Sequence, residues 1–293
     1  KNINVIIIDN LKTGYKKLIN KKANFIKSNI NNKKLLIKTI NRYNIDSIIH
    51  LAAYLNVSEA ENNKKKYYKN NVTGTKILLE ATKETTVKNI IFSSSCSVYG
   101  NVKGAVSENK KTNPQGYYAY TKFKGEELIK KYSKKYGYNF GILRYFNVAG
   151  ASPSGLIGEI ESSHGHLIKN IAIQSLKIKP KLDIYGNDYE TRDGTCIRDY
   201  IHVVDLAKAH VIAMERLLKK KNTENYEVYN IGTGKGSSVL EVVNTFEEVS
   251  GVKLNYSFAE RRAGDIISAY ADTTKANTVL GWKSEITLKD SLY

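Results

Sequence analysis

The feature that most constrains this chain is an ordered series of short apolar runs separated by stretches of helical period. The runs occupy residues 4–9 (NVIIID), 46–51 (DSIIHL), 88–93 (KNIIFS), 140–146 (FGILRYF) and 200–204 (YIHVV). Between them, residues 35–43, 67–83 and 117–136 carry the helical pattern. The runs are continuous rather than alternating, which fits strands covered on both faces. Strand alternating with helix predicts an α/β fold with a doubly wound parallel sheet, whose ligands sit beyond the carboxyl ends of the strands. After Gly150 the pattern loosens into a loop over 150–155, then helices at 166–177, 205–218 and 239–249, and a capped helix over 272–281 with a glycine stop. The expected organisation is a nucleotide-binding domain over 1–150, to which 199–218 returns, and a smaller mixed α/β domain over 151–293.

Composition removes several alternatives. With 293 residues, 41% hydrophobic and 25% charged, the chain has the profile of a globular protein rather than a disordered tail or a coiled coil. Its apolar runs are too short to span a bilayer as helices. Two cysteines far apart in sequence exclude a disulfide scaffold, and a reducing, cytoplasmic setting is expected. The formal charge of +18 raises nucleic acid as a partner, but the lysines lie in short scattered runs mixed with asparagine. No RNA-binding or zinc-finger spacing accompanies them, so no specific nucleic acid is expected. The five histidines form no metal-ligand spacing, so no metal is expected either. The chain starts at Lys1 and its one methionine is Met214.

The residues just after each run carry the chemistry. Asp9 ends the first, where an acid in a dinucleotide fold takes the adenine-side ribose hydroxyls and disfavours a 2′-phosphate. Such an acid follows a glycine-rich turn by roughly 20 residues; the expectation is that a strand and that turn precede Lys1. His50-Leu51-Ala52-Ala53 offers small side chains to a flat cofactor, and Asn70 stands at the start of a helical stretch. Ser93-Ser94-Ser95 ends the third run. Tyr118-x-x-x-Lys122 then places a phenol and an ammonium one helical turn apart. The ammonium favours the phenolate, bringing a tyrosine of ordinary pKa about 10 towards use as a base near neutral pH. Ser95 supplies a hydroxyl for the same substrate oxygen. Gly232-Thr-Gly234-Lys-Gly236 suggests a phosphate loop but lacks the required spacing.

Taken in order, Asp9-Asn10-Leu11, His50-Leu-Ala-Ala53, Asn70-Asn71-Val-Thr-Gly74, Phe92-Ser-Ser-Ser95, Tyr118-x-x-x-Lys122, Arg144-Tyr-Phe-Asn147, Tyr185-Gly-Asn-Asp-Tyr189, Asp193-Gly-Thr-Cys-Ile-Arg198-Asp-Tyr-Ile-His202 and Arg261-Arg262-x-Gly264-Asp265 resemble the UDP-glucose (UDP-galactose) 4-epimerases. These belong to the extended short-chain dehydrogenase/reductases. The resemblance runs through essentially the whole chain. It implies a Rossmann-type NAD-binding domain and a UDP-sugar-binding domain. By it, Asp9, Asn10, Leu11, Asn29, Ile30, Leu51, Ala52, Ala53, Asn70 and Phe146 would line NAD, with Ser95, Tyr118 and Lys122 catalytic and touching it. Ser97, Asn147, His166, Leu167, Tyr185, Arg198, Arg262, Asp265 and Ala269 would hold the UDP-sugar. Two arginines suit a diphosphate because their planar forks match its oxygens. The family usually has aspartate where Asn29 stands, and often asparagine where His166 stands.

The activity so implied is interconversion of UDP-glucose and UDP-galactose in galactose metabolism, by transient oxidation at C4, in a homodimer. In the family the position of Ala269 lies beside the sugar C2 substituent, and a small residue there goes with N-acetyl sugars; a one-residue slip would place Tyr270 there instead. A sister dehydratase or decarboxylase is the alternative enzyme, but a dehydratase needs an acid pair where this chain has Ser95-Cys96-Ser97. A non-catalytic homologue is disfavoured by intact Tyr118, Lys122 and Arg262.

Overall fold

The computed structural model describes residues 3–160, 166–262 and 265–293; Gly264 of the expected arginine motif lies outside them. In chain order the first elements are β1 (Ile6–Asp9), β2 (Asn24–Lys27), α1 (Lys33–Arg42), β3 (Ser47–His50), α2 (Val57–Asn62), α3 (Lys64–Tyr67), a π-helical turn at Tyr68–Thr73, α4 (Gly74–Thr82) and β4 (Asn89–Ser93). There follow β5 (Lys103–Val106), α5 (Tyr117–Tyr136), β6 (Asn139–Tyr145), β7 (Asn147–Ala149), α6 (Leu167–Ser175), β8 (Leu182–Tyr185), β9 (Ile197–Arg198) and β10 (Tyr200–His202). The remainder is α7 (Val203–Leu218), β11 (Tyr226–Ile231), β12 (Ser237–Ser238), α8 (Val239–Ser250), β13 (Tyr256–Ala259), β14 (Ser268–Ala271), a second π-helical turn at Ala276–Leu280 and α9 (Leu288–Leu292).

Two compact units emerge. The first comprises Lys1–Ser94, Gly116–Leu143 and Ala213–Val228; the second comprises Ser95–Gln115, Arg144–Ile212 and Tyr229–Tyr293. Helix α7 therefore spans the division, with its last turns in the first unit.

The first unit is a Rossmann-type parallel sheet. Its main sheet has the order β11-β6-β4-β3, with β3–β4 and β4–β6 parallel, and β1 pairs with β2 in parallel beside it as a separate two-stranded ladder. Strand β4 explains why the sheet is covered twice. Ile90, Ile91 and Phe92 are all buried, although successive side chains point to opposite faces. On the face of Ile90 and Phe92, a core forms with Ile40, Leu79, Ile129 and Tyr132 from α1, α4 and α5. Here α5 approaches so closely that a Cβ at Gly125 would lie 2.7 Å from the Phe92 ring. On the opposite face, a Cβ at Gly141 would meet Ile91 at 2.7 Å and Ala213 of α7 at 3.8 Å. Glycine at these two positions is what lets helices lie down on both faces.

The second unit is built from shorter strands. Its mixed sheet runs β12-β9-β14-β5, with β14 parallel to both neighbours and β12 antiparallel to β9. Parallel pairs β7–β10 and β8–β13 complete it. Its core gathers Ile171 of α6, Leu182 and Ile184 of β8, and Val242 and Val243 of α8. Helix α8 starts on a capping box in which the Ser238 side chain takes the Glu241 N–H and the Glu241 carboxylate takes the Ser238 N–H.

Three expected boundaries shift for identifiable reasons. The helix expected over 67–83 divides around the π-turn at Tyr68–Thr73. Helix α7 starts at Val203, two residues early, because His202 Nδ1 accepts the Val204 N–H at 3.1 Å and closes the strand. The helix expected over 272–281 is mostly the π-turn Ala276–Leu280, stopped by Gly281 at φ 72° as its glycine requires.

Candidate active site

In the first unit, Tyr118 and Lys122 occupy the opening turns of α5. The helix begins where Gly116 turns the chain (φ 82°) and Glu61 Oε1 accepts the Tyr117 N–H at 2.5 Å. Tyr118 is buried in an aromatic cluster with Ala60 and Tyr67, flanked by Tyr54 and Tyr117. Lys122 is only 3% exposed. Its Nζ donates to the Ser93 carbonyl at 2.7 Å, at the end of β4, and lies 6.0 Å from the centre of the Tyr118 ring. Burial pulls the Lys122 ammonium down to about 8, against the raising effect of the Glu126 carboxylate one turn on. Glu126 in turn accepts the Ser94 hydroxyl at 2.5 Å. The ammonium is thus fixed by a carbonyl at a strand end, in a dry setting where a charge acts strongly on its neighbours.

The carboxyl ends of β1 and β3 carry the residues expected at the cofactor. Asp9 ends β1, its Oδ1 accepting the Leu11 N–H at 2.6 Å, and Leu11 adopts a left-handed φ of 56°. Asn10 and Asn29 make the same kind of tight turn, accepting the N–H groups of Lys12 and Asn31 at 2.9 Å each. Ile30 is buried beneath them. After β3, Leu51 and Leu55 are 61% and 46% exposed, with Ala52 and Ala53 between them. Exposed leucines beside small residues form an apolar ledge that a flat dinucleotide would cover, and Asn31 Oδ1 is buried with no hydrogen-bond partner among the described residues. These features fit NAD.

The sequence reading missed the residue that holds this ledge in place. Asn71 is buried, and its carboxamide accepts from Tyr54 N at 2.9 Å and Asn70 Nδ2 at 3.0 Å, while donating to Tyr54 O and Thr121 Oγ1 at 3.1 Å each. Asn70, half-buried on the π-turn, is thereby oriented. The signal was present as a second asparagine beside the first; only the π-turn reveals which of the two faces inward.

Ser95, Ser97 and Phe146 belong to the second unit. Ser95 is buried, and its Oγ accepts from Ser97 N at 3.2 Å and Ser97 Oγ at 2.9 Å. Phe146 is buried as well. Burial pushes the neighbouring Cys96 thiol up to about 12, which disfavours its thiolate.

The second unit also holds a cavity of about 170 Å³ that brings together Asn147, His166, Leu167, Tyr185, Arg198, Arg262 and Asp265. Its charged groups converge. Asp265 lies 3.6 Å from Arg198 through Oδ1 and 3.1 Å from Arg262 through Oδ2, and the Arg262 guanidinium stacks 4.8 Å from the Tyr185 ring centre. Leu182, Cys196 and Tyr200 also line it, none of which the residue pattern singled out for this role. Ala269 is not on the cavity wall. It is buried on β14, in register with Arg198 of β9, and parallel register partners share a face. The Tyr270 ring points to the other face, where a Cβ at Gly236 would lie 2.9 Å from it. Among the described residues no group of three or more His, Cys, Asp or Glu side chains is arranged to hold a metal ion.

Comparison with known proteins agrees with this geometry. The profile of the NAD dependent epimerase/dehydratase family matches residues 1–232. A UDP-glucose 4-epimerase of Lactobacillus helveticus is 41% identical over 280 residues, covering 95% of this chain and 84% of its own length. The crystal structure of a UDP-glucose-4-epimerase from Stenotrophomonas maltophila with bound NAD and formylated UDP-arabinopyranose superposes with a TM-score of 0.95 at 33% identity, over 99% of this chain and 88% of that one. That of a UDP-glucose 4-epimerase from Brucella ovis in complex with NAD gives 0.94 at 37% identity, with the same coverage of both chains. The parallel sheet, the buried Tyr118–Lys122 turn and these similarities together establish that the chain belongs to the NAD dependent epimerase/dehydratase family.

Proposed function

We propose that this protein interconverts UDP-glucose and UDP-galactose by transient oxidation at the sugar C4. The observation that carries the reading is the Tyr118–Lys122 turn, with its ammonium buried and tethered 6.0 Å from the phenol ring centre. Asp9, Asn10, Leu11, Asn29, Ile30, Asn70, Phe146 and the ledge at Leu51–Ala53 would hold NAD, which would supply the acceptor and returning donor of the C4 hydride. Tyr118 takes the 4-hydroxyl proton on its phenol oxygen and gives it back when the hydride returns. Lys122 stabilises the phenolate and binds the nicotinamide ribose. Ser95, turned by its contacts with Ser97, hydrogen-bonds the sugar 4-oxygen. The Arg198 and Arg262 guanidinia hold the diphosphate, with Asn147, His166, Leu167 and Tyr185 around the nucleotide. Holding the substrate by its nucleotide leaves the keto sugar free to present its other face, which inversion requires. The test is conversion of UDP-galactose to UDP-glucose by the purified protein with NAD; the account expects equilibration of the two sugars, and no conversion would refute it.

The proposal extends to the N-acetylated sugars. Ala269 is buried on β14 and faces the same side of its sheet as Arg198, and in the family a small residue at this position goes with the N-acetyl sugars. Ala269→Tyr is expected to abolish turnover of UDP-N-acetylgalactosamine while sparing UDP-galactose, in parallel assays; equal loss on both would contradict this reading of the pocket. A homodimer through the helices at 67–83 and 117–136 completes the proposal, and sedimentation velocity would detect it.

A further inference from the structure

The Gly232-Thr-Gly234-Lys-Gly236 loop and the fully buried Asp199 have no part in the scheme above, yet they are each other's partner. Asp199 Oδ1 accepts from Thr233 N at 2.8 Å and Thr233 Oγ1 at 2.7 Å. Its Oδ2 accepts from Gly234 N and from Ala271 N, each at 3.1 Å. The loop does cradle an anion, as its glycines suggest, but the anion is the chain's own carboxylate. Gly232 is required for this, since a Cβ there would lie 2.4 Å from Asp199 Oδ2 and 2.8 Å from the Ala271 methyl. A buried carboxylate is costly unless its oxygens are satisfied, and here four donors converge on it.

The position of this clamp gives it consequence. Asp199 stands between Arg198 and Tyr200, both on the cavity wall, and its own carbonyl accepts the N–H of Asn147, a third wall residue, at 3.0 Å. Its contact with Ala271 fixes the end of β14, the strand that carries Ala269 in register with Arg198. One residue therefore ties the β9–β10 segment to β7 through its carbonyl, and to β14 and the 232–234 loop through its carboxylate. We infer that Asp199 is a positioning residue of the UDP-sugar pocket, holding the backbone that aims Arg198 at the diphosphate; the inference rests on the function proposed above.

The test uses the full chain with Asp199→Asn and Thr233→Val. The asparagine turns an N–H₂ group towards N–H donors of the loop or of β14, whereas the valine removes one hydroxyl, which donates to Asp199 and accepts the Lys235 N–H, and leaves the three backbone donors to the carboxylate. For Asp199→Asn the KM for UDP-galactose should rise about tenfold with kcat within about threefold, and the calorimetric Kd for UDP should rise in step. Thr233→Val should raise KM by about two- to threefold. A purely structural role would lower the fraction of active molecules, and hence apparent kcat, while leaving KM and Kd unchanged; that result overturns the inference. If Asp199→Asn does not fold, Thr233→Val decides alone, and an unchanged KM refutes the role. Wild-type protein that neither binds UDP nor turns over would instead overturn the proposed function, and this inference with it.

Discussion

The Tyr118–Lys122 turn of the first unit and the arginine cavity of the second handle charge in opposite ways. Lys122 is 3% exposed, held by a neutral carbonyl, and pulled down to about 8 by burial. In the cavity, Arg198 and Arg262 keep side-chain exposures of 18% and 57% and share one carboxylate. The first arrangement suits a group that must tune a proton acceptor, because a dry ammonium acts strongly on its neighbour and its own proton is within reach of titration. The second suits a group that must hold a permanently charged ligand, because a guanidinium does not titrate and tolerates exchange of one anion for another. Asp265 occupies the two arginines as a diphosphate would.

The largest effect expected from this contrast is on chemistry alone. Tyr118→Phe should lower kcat by about 10²–10⁴-fold, the usual worth of a general acid–base group, with the Kd for UDP within about twofold. Loss of UDP binding in that variant would break the separation between the two regions. Next in size is the cavity. Arg262→Ala and Arg198→Ala should each raise the KM for UDP-galactose by about ten- to a hundredfold, the worth of a charge-assisted hydrogen bond to a phosphate. The more exposed Arg262 should show the steeper loss of effect between low and high salt, because exposed charges are screened more. Steady-state kinetics at two ionic strengths would detect this, and identical salt responses would contradict it.

The smallest effect is a shift in a pH profile. Activity should fall as pH rises through the Lys122 pKa near 8, because the phenolate loses its cation. Glu126 raises that pKa, so Glu126→Gln, which can still accept the Ser94 hydroxyl, should move the alkaline limb to lower pH. A limb that stays in place or moves up would mean that Lys122 does not control it.

Legibility in the sequence followed burial and length. Strands β4 and β6 were readable because continuous apolar runs mark strands covered on both faces; β3 carries the same kind of run, although its Ile49 is exposed. Strand β11 was not, because its YEVYNI pattern contains Glu227. That glutamate is 4% exposed and is neutralised by Arg216, whose Nε donates to it at 2.8 Å. A buried ion pair contributed by a separate helix leaves no trace in local periodicity. Strands β9, β12 and β14 are two to four residues long. They owe their arrangement partly to the Asp199 clamp rather than to any pattern of their own. Among the site residues, Tyr118 and Lys122 were legible because helical spacing alone puts them together. Asn71 was not, because its role depends on a π-turn that shifts which asparagine faces inward.

The most direct test of the central claim follows the hydrogen on C4. UDP-galactose carrying deuterium at C4 should be converted to UDP-glucose with the label retained at C4, because the hydride removed is the one returned. Mass spectrometry and NMR of the product, with a parallel reaction of unlabelled substrate in deuterated water, would read both directions. Retention of the label, with no solvent deuterium at C4, is the result expected. Washout of the label, or entry of solvent deuterium at C4, would contradict transient oxidation and with it the roles given to Tyr118, Lys122 and NAD.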